Sequence, residues 1–190
     1  REQTGPQGLA KLDGADLDKA LAYIRDNDQV FEVILTGGDP LSLSARYLQD
    51  LFQSLSDIKH VQSVRIHTRV PIADPVRITP ALCRALKELS AQKAVYVCTH
   101  INHADELSDA VRVACTSLRE AGCILLSQSV LLRGVNDNIE ALRDLYRTLV
   151  GAGIKPYYLH HPDKARGTSH FRLPLHEGAA LVAQLRGHLS

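Results

Sequence analysis

Five short apolar segments alternate with helix-patterned ones along the chain, and that alternation restricts the fold more than any other feature. A leading helix is expected over 13–27, where Leu17, Ala20, Leu21 and Ile24 recur at helical spacing behind aspartate caps. Strands are expected over 31–36, Ser63–Thr68, 94–99, within 123–132 and over 154–160. Each is followed by a helix. These helices cover 43–55 with Ser42 or Ser44 as cap, 79–89 with Thr79 as cap and Pro80 in the first turn, 106–121 ended by Gly122, 138–150 closed by Gly151-Ala152-Gly153, and 174–189. Strand–helix repeats of roughly 30 residues imply parallel strands joined by right-handed crossovers. A doubly wound sheet and a partial (β/α) barrel with outer helices both satisfy the pattern. No linker or low-complexity stretch divides the 190 residues, so a single α/β domain over 1–190 is expected.

One strand end carries the strongest local signal. Val33-Ile34-Leu35-Thr36 stops abruptly at Gly37-Gly38-Asp39-Pro40-Leu41. Paired glycines let another molecule approach the backbone closely. Asp39 puts an acceptor at a strand's C-terminal end, where barrels and open α/β sheets bind ligands. The plainer reading is a strand-to-helix turn with Asp39 near a cap, and the segment alone leaves both open.

The other strand ends are polar too. The second strand delivers His67 and Arg69, the third His100, Asn102 and His103, the fourth Gln128, and the fifth His160, His161 and Asp163. The opposite ends carry little beyond Lys59, His60 and Lys93. Five strands agreeing points to a ligand site at one mouth. A histidine at a strand end also caps neighbouring carbonyls, and Asp163 also suits a turn before Lys164-Ala165-Arg166-Gly167. Asp137, in Gly134-Val135-Asn136-Asp137-Asn138, is expected to cap the helix that follows.

Several function classes fall away. A net charge of +1 with both signs interspersed gives no footprint for nucleic acid or an anionic membrane. No apolar run approaches the ~20 residues of a spanning helix, and no signal peptide is visible. Cys83, Cys98, Cys115 and Cys123 lack CxxC spacing and read as reduced core residues of a cytoplasmic protein. There is no GxSxG, no P-loop and no GxGxxG. A metal-dependent barrel hydrolase using His100, His103, His160 and His161 stays open, although few carboxylates accompany them. The chain contains no methionine and opens on Arg1-Glu2, so it is expected to be a piece of a longer polypeptide.

An ordered set of motifs resembles the lysine 2,3-aminomutase family of radical S-adenosylmethionine (SAM) enzymes. It comprises Thr36-Gly37-Gly38-Asp39-Pro40-Leu41, Arg65-Ile66-His67-Thr68-Arg69-Val70-Pro71, Arg77-Ile78-Thr79 and Thr99-His100-Ile101-Asn102-His103. It continues through Gln128-Ser129-Val130-Leu131-Leu132-Arg133-Gly134-Val135-Asn136-Asp137, Pro156-Tyr157-Tyr158-Leu159-His160, His170-Phe171-Arg172 and Leu185-Arg186-Gly187-His188. The resemblance spans nearly the whole chain.

It implies a partial (β/α) barrel of the radical SAM type that uses SAM, a [4Fe–4S] cluster and pyridoxal phosphate (PLP). The implied reaction moves an amino group from the α- to the β-carbon of lysine through a 5′-deoxyadenosyl radical. By resemblance, Gly37, Gly38, Asp39, His100 and Gln128 contact SAM, and Asp163 holds the ε-ammonium of the substrate lysine. A carboxylate there selects a cationic side chain and rejects glutamate. The family's CxxxCxxC motif is absent, and the cluster cysteines are expected upstream of Arg1. The PLP-binding lysine and a second substrate aspartate are expected beyond Ser190, so the 190 residues alone should not turn over. The resemblance further implies an electron donor for the cluster and leaves room for a homo-oligomer. It also leaves open a relative acting on lysine destined for elongation factor P, and mutases of glutamate or arginine.

Overall fold

The inner and outer faces of the strands divide by chemistry. On one face Val64, Ile66, Val95, Val97 and Leu125 are each exposed by 3% or less, packed beneath helices. Residues between them, Arg65, His67, Tyr96, His100 and Gln128, stay half-buried on the other face. Strand side chains alternate between faces, so one face of this sheet is core and the other is a polar interior. The computed structural model describes residues 14–189.

Five strands, β1 (Glu32–Leu35), β2 (Ser63–Thr68), β3 (Ala94–His100), β4 (Ile124–Val130) and β5 (Lys155–His160), form one sheet in the order β1-β2-β3-β4-β5. Every pairing is parallel. A doubly wound sheet reverses its strand order partway along. This one does not, so each crossover lies on the same side and the sheet curls as a partial barrel. The curl is visible in one contact: Arg65 on β2 donates from Nη1 to Tyr157 Oη on β5 at 3.3 Å, across two intervening strands. The register shift between Ser127 and Gln128 against β5 lies where Tyr157 turns inward.

The helices are α1 (Gly14–Asp26), α2 (Ala45–Ser56), α3 (Val70–Ala73), α4 (Pro80–Ser90), α5 (Asp109–Glu120), α6 (Ile139–Gly151) and α7 (Leu175–Leu185). Ser44, Thr79, Ser108 and Asn138 cap α2, α4, α5 and α6 by accepting a first-turn backbone N–H. Thus Ser44, and not Ser42, is the cap of α2. The helix expected from 106 begins later, because Ala104–Glu106 forms a separate turn capped by His103. The helix expected over 174–189 is confined to Leu175–Leu185. Asp137 is not the cap of α6; that place is taken by Asn138, and Asp137 instead accepts from Gly134 N–H at 3.0 Å. The short α3 was not foreseen. Asp13, named with the leading helix, and Arg1 lie outside the described residues.

Most of the core lies between the outer sheet face and α2, α4, α5 and α6. A smaller cluster of Leu131, Leu142, Leu173 and Leu185 seats α7. Among the described residues no helix is long and apolar enough to cross a membrane.

Candidate functional site

The first strand end is built by glycine and closed by aspartate. Gly37 takes φ +114°, a backbone state that side chains with a Cβ rarely adopt. Nothing lies within 4 Å of the position a Cβ would occupy, so the glycine is needed for conformation and the space before it is open. Asp39 then spends its carboxylate on the protein. Oδ1 accepts from Leu41 N at 3.1 Å and Thr68 Oγ1 at 2.5 Å. Oδ2 accepts from Arg69 N at 2.5 Å and Val70 N at 3.1 Å. Four donors fill the acceptor capacity of an ionised carboxylate. Asp39 thus makes the cap that the sequence allowed, and it anchors the first strand's exit turn to the start of α3.

The next three ends occupy two adjacent rows on one face. His67 lies in register with Cys98, and His100 with Gln128, which in turn pairs with Tyr158. His67 Nδ1 is 3.1 Å from Gln128 Oε1, and the amide nitrogen remains as the donor end of that side chain. His100 Nε2 is 3.1 Å from Asn102 Oδ1. Burial pushes both histidines below the ordinary imidazole range, and for His100 the nearby Arg69 guanidinium adds to the effect. Both are therefore neutral near pH 7.

Two cavities adjoin the end of β5, and they differ in character. The larger, about 540 Å³, opens at the strand C-termini and is walled by His100, Asn102, Gln128, His160, Asp163 and Phe171 among others. It brings together six of the strand-end residues expected from the sequence, among them His100, Gln128 and Asp163, which the resemblance implies for SAM and substrate. Gly37, Gly38 and Asp39 do not line it; they stand two strands away, at the end of β1. The smaller, about 340 Å³, is mostly apolar and lies between β5 and α7.

Polar groups unseen at the sequence level hold this mouth. Glu106 Oε1 accepts from the backbone N–H of Asn102 at 2.6 Å and of His103 at 3.0 Å, while Oε2 pairs with Arg69 Nη2 at 3.0 Å. Asn136, fully buried, donates from Nδ2 to Asn102 O and Val130 O at 2.8 and 2.9 Å and accepts from Leu132 N at 2.7 Å. In the sequence Asn136 lay within a strand-end motif, and Glu106 stood only at the start of an expected helix. Deeper in the barrel, Arg65 pairs with Glu32 at 2.8 Å. Bonds to Glu32 and Tyr157 raise the Arg65 pKa against the opposing effect of burial.

The histidines do not form a metal centre. Among the described residues no three of His, Cys, Asp and Glu gather around a common point. His103 is a cap, and His161 Nε2 binds Leu173 O at 2.7 Å. The hydrolase reading is thereby corrected: His103 and His161 serve backbone groups, His100 the Asn102 side chain, and His160 lies against the Tyr158 ring. Cys83, Cys98, Cys115 and Cys123 are free thiols, as expected of core residues; the last three are buried and pushed up to about 11, 11 and 12 by desolvation.

No protein-family model matches the chain. Over 174 residues, 92% of its length, it is 40% identical to the L-lysine 2,3-aminomutase of Fusobacterium nucleatum and 42% identical to that of Clostridium subterminale. It is 36% identical over 176 residues to the glutamate 2,3-aminomutase of Clostridioides difficile. It spans 40–41% of the length of these three proteins. Among solved structures, native anSMEcpe with bound AdoMet superposes with a TM-score of 0.68 at 9% identity, over 95% of this chain and 52% of that one. A radical SAM methyltransferase from Sphaerobacter thermophilus gives 0.56 at 19% identity, over 97% and 58%. Both show the fold.

Proposed function

We propose, for a chain that belongs to the lysine 2,3-aminomutase family of radical SAM enzymes, that it forms the barrel wall of an enzyme moving the amino group of lysine from the α- to the β-carbon. The observation that carries the reading is the 540 Å³ cavity, which gathers His100, Gln128 and Asp163 at the strand C-termini. In this reading residues 1–190 act as one barrel unit of a longer protein.

The residues fit SAM. The open backbone at Gly37, the half-buried His100 ring and the amide nitrogen of Gln128 offer the mixed donors and acceptors that a nucleoside carrying an amino acid requires. When bound and reduced through an iron–sulfur cluster, SAM supplies the radical that takes hydrogen from substrate. The chain's own part is placement. His100 and Gln128 orient the ligand, Asp163 draws a cationic side chain to the cavity's edge, and Val130, Leu132, Pro162 and Phe171 exclude water. PLP belongs to the same proposal, held by the lysine expected beyond Ser190; among the described residues no lysine lines the cavity. Four unpaired cysteines suit a reducing cytoplasm. An electron donor and self-association belong to the same proposal.

The test is the full-length protein under anaerobic reduction with SAM, PLP and lysine. β-Lysine formation is expected, with glutamate and arginine turned over far more slowly. Preferential turnover of glutamate would overturn the choice of substrate, which the 36% identical glutamate mutase makes the natural competitor. Adding elongation factor P distinguishes a free-lysine enzyme from one serving that factor.

A further inference from the structure

We infer that Asn102 is a positioning residue that fixes His100 in one tautomer, with the proton on Nε2 and a bare Nδ1 offered as acceptor to the cavity. The backbone N–H of Val130 donates to the Asn102 side chain at 2.8 Å, so the atom facing it is the amide oxygen. That same oxygen is 3.1 Å from His100 Nε2. An oxygen cannot donate, so Nε2 carries the hydrogen.

Asn102 is itself held from three directions. Its N–H donates to Glu106 Oε1 at 2.6 Å, its carbonyl accepts from Asn136 Nδ2 at 2.8 Å, and its side chain accepts from Val130 N. These partners lie beyond β3, beyond β4 and at the end of β4. With 9% exposure and every bond to a fixed group, Asn102 has no second orientation available. The charged groups facing His100 are Arg69 and Glu106, with His160 the nearest titratable neighbour. Burial, Arg69 and His160 disfavour the imidazolium, while Asn102 and Glu106 favour it less strongly, so the ring is neutral and Nδ1 has a free lone pair.

A neutral acceptor at Nδ1 restricts how a ligand can lie. It takes an N–H or O–H, such as an amine or a ribose hydroxyl, and it repels a carboxylate. Resting on the proposed cofactor reading, the amino or hydroxyl groups of SAM face His100 and its carboxylate lies elsewhere.

The test is ¹⁵N NMR of the histidine-labelled full-length protein before any cofactor is added. His100 is expected to show a protonated Nε2 and an unprotonated Nδ1 at pH 7, and this measurement needs no variant. An Nδ1–H tautomer would overturn the inference. N102D keeps the oxygen but supplies charge, and should raise the His100 titration midpoint by about one unit. N102L should let both tautomers populate and weaken SAM binding roughly tenfold, with N102D closer to wild type. A His100 titration unmoved by N102D would also overturn it. If Nδ1 is bare yet SAM leaves its resonance unshifted, the tautomer assignment stands and the cofactor reading of the cavity falls.

Discussion

Arg65 and Glu32 meet on the inner face of the barrel as a forked pair, with Nη2 at 2.8 and 3.1 Å from the two carboxylate oxygens and Nε at 3.2 Å from the nearer one. Their side chains are 16% and 20% exposed. Arg65 also carries the Tyr157 ring 5.5 Å from its guanidinium carbon, so one side chain on β2 ties both edges of the sheet together. Such a pair is weak as a source of net stability but costly to break, because the surviving charge stays buried.

Glu32→Gln should therefore lower the unfolding free energy by about 3 kcal/mol. Replacing both partners with methionine should cost less than the sum of the single changes. Urea denaturation of the four proteins in a double-mutant cycle reads the coupling. A Glu32→Gln loss below about 0.5 kcal/mol would show that the pair is solvated in solution.

Asp39→Asn tests the cap. The amide keeps one acceptor but turns an NH₂ toward donors at Arg69 and Val70, which the carboxylate oxygens now satisfy. Charged hydrogen bonds to backbone N–H are worth roughly 1.5–3 kcal/mol each, so a net loss of about 2–3 kcal/mol is expected. Hydrogen exchange at the Arg69 and Val70 amides should accelerate more than exchange in β3. Unchanged protection there would contradict the anchoring role.

Stability should also depend on pH through the two cavity histidines. His67 and His100 are lowered in the folded state, chiefly by burial. The unfolded chain then binds more protons below its own histidine pKa of about 6.5. Stability is thus complete above that value and declines as pH falls toward the folded pKa values, by at most about 1.4 kcal/mol per unit for each group. Substituting both by glutamine should flatten the slope between pH 7 and pH 5. An unchanged slope would assign the acid sensitivity to other groups.

The contrast between Asp39 and His100 shows what a sequence exposes. The repeats, the parallel order and the polar mouth were legible, because side-chain alternation and strand ends are local properties. That is why His100, Gln128 and Asp163 were expected together and line one cavity. The saturation of Asp39 was not legible, since its partners Thr68, Arg69 and Val70 lie about thirty residues away. Asn136 shared that fate: a buried asparagine stitching two strand ends looks, in sequence, like any polar loop residue. Glu32 opens a strand, and nothing local marks its pairing with Arg65 on the next one. What hid these residues was long-range pairing of polar groups, which leaves no period in the chain.

Substrate choice in the proposed reaction rests on Asp163, at the exposed edge of the cavity. It lines the same space as His100, whose ring is held neutral by burial and by Arg69. Asp163→Asn removes the attraction and keeps the shape. For the full-length enzyme, kcat/KM for lysine should fall roughly tenfold to a hundredfold, with most of the change in KM. The dissociation constant for SAM should stay the same, since the amide alters neither His100 nor Gln128. Glutamate, which the carboxylate repels, should become a relatively better substrate. Steady-state kinetics on both amino acids, beside SAM titration, separates these effects: an unchanged ratio between the two substrates would remove Asp163 from the specificity argument.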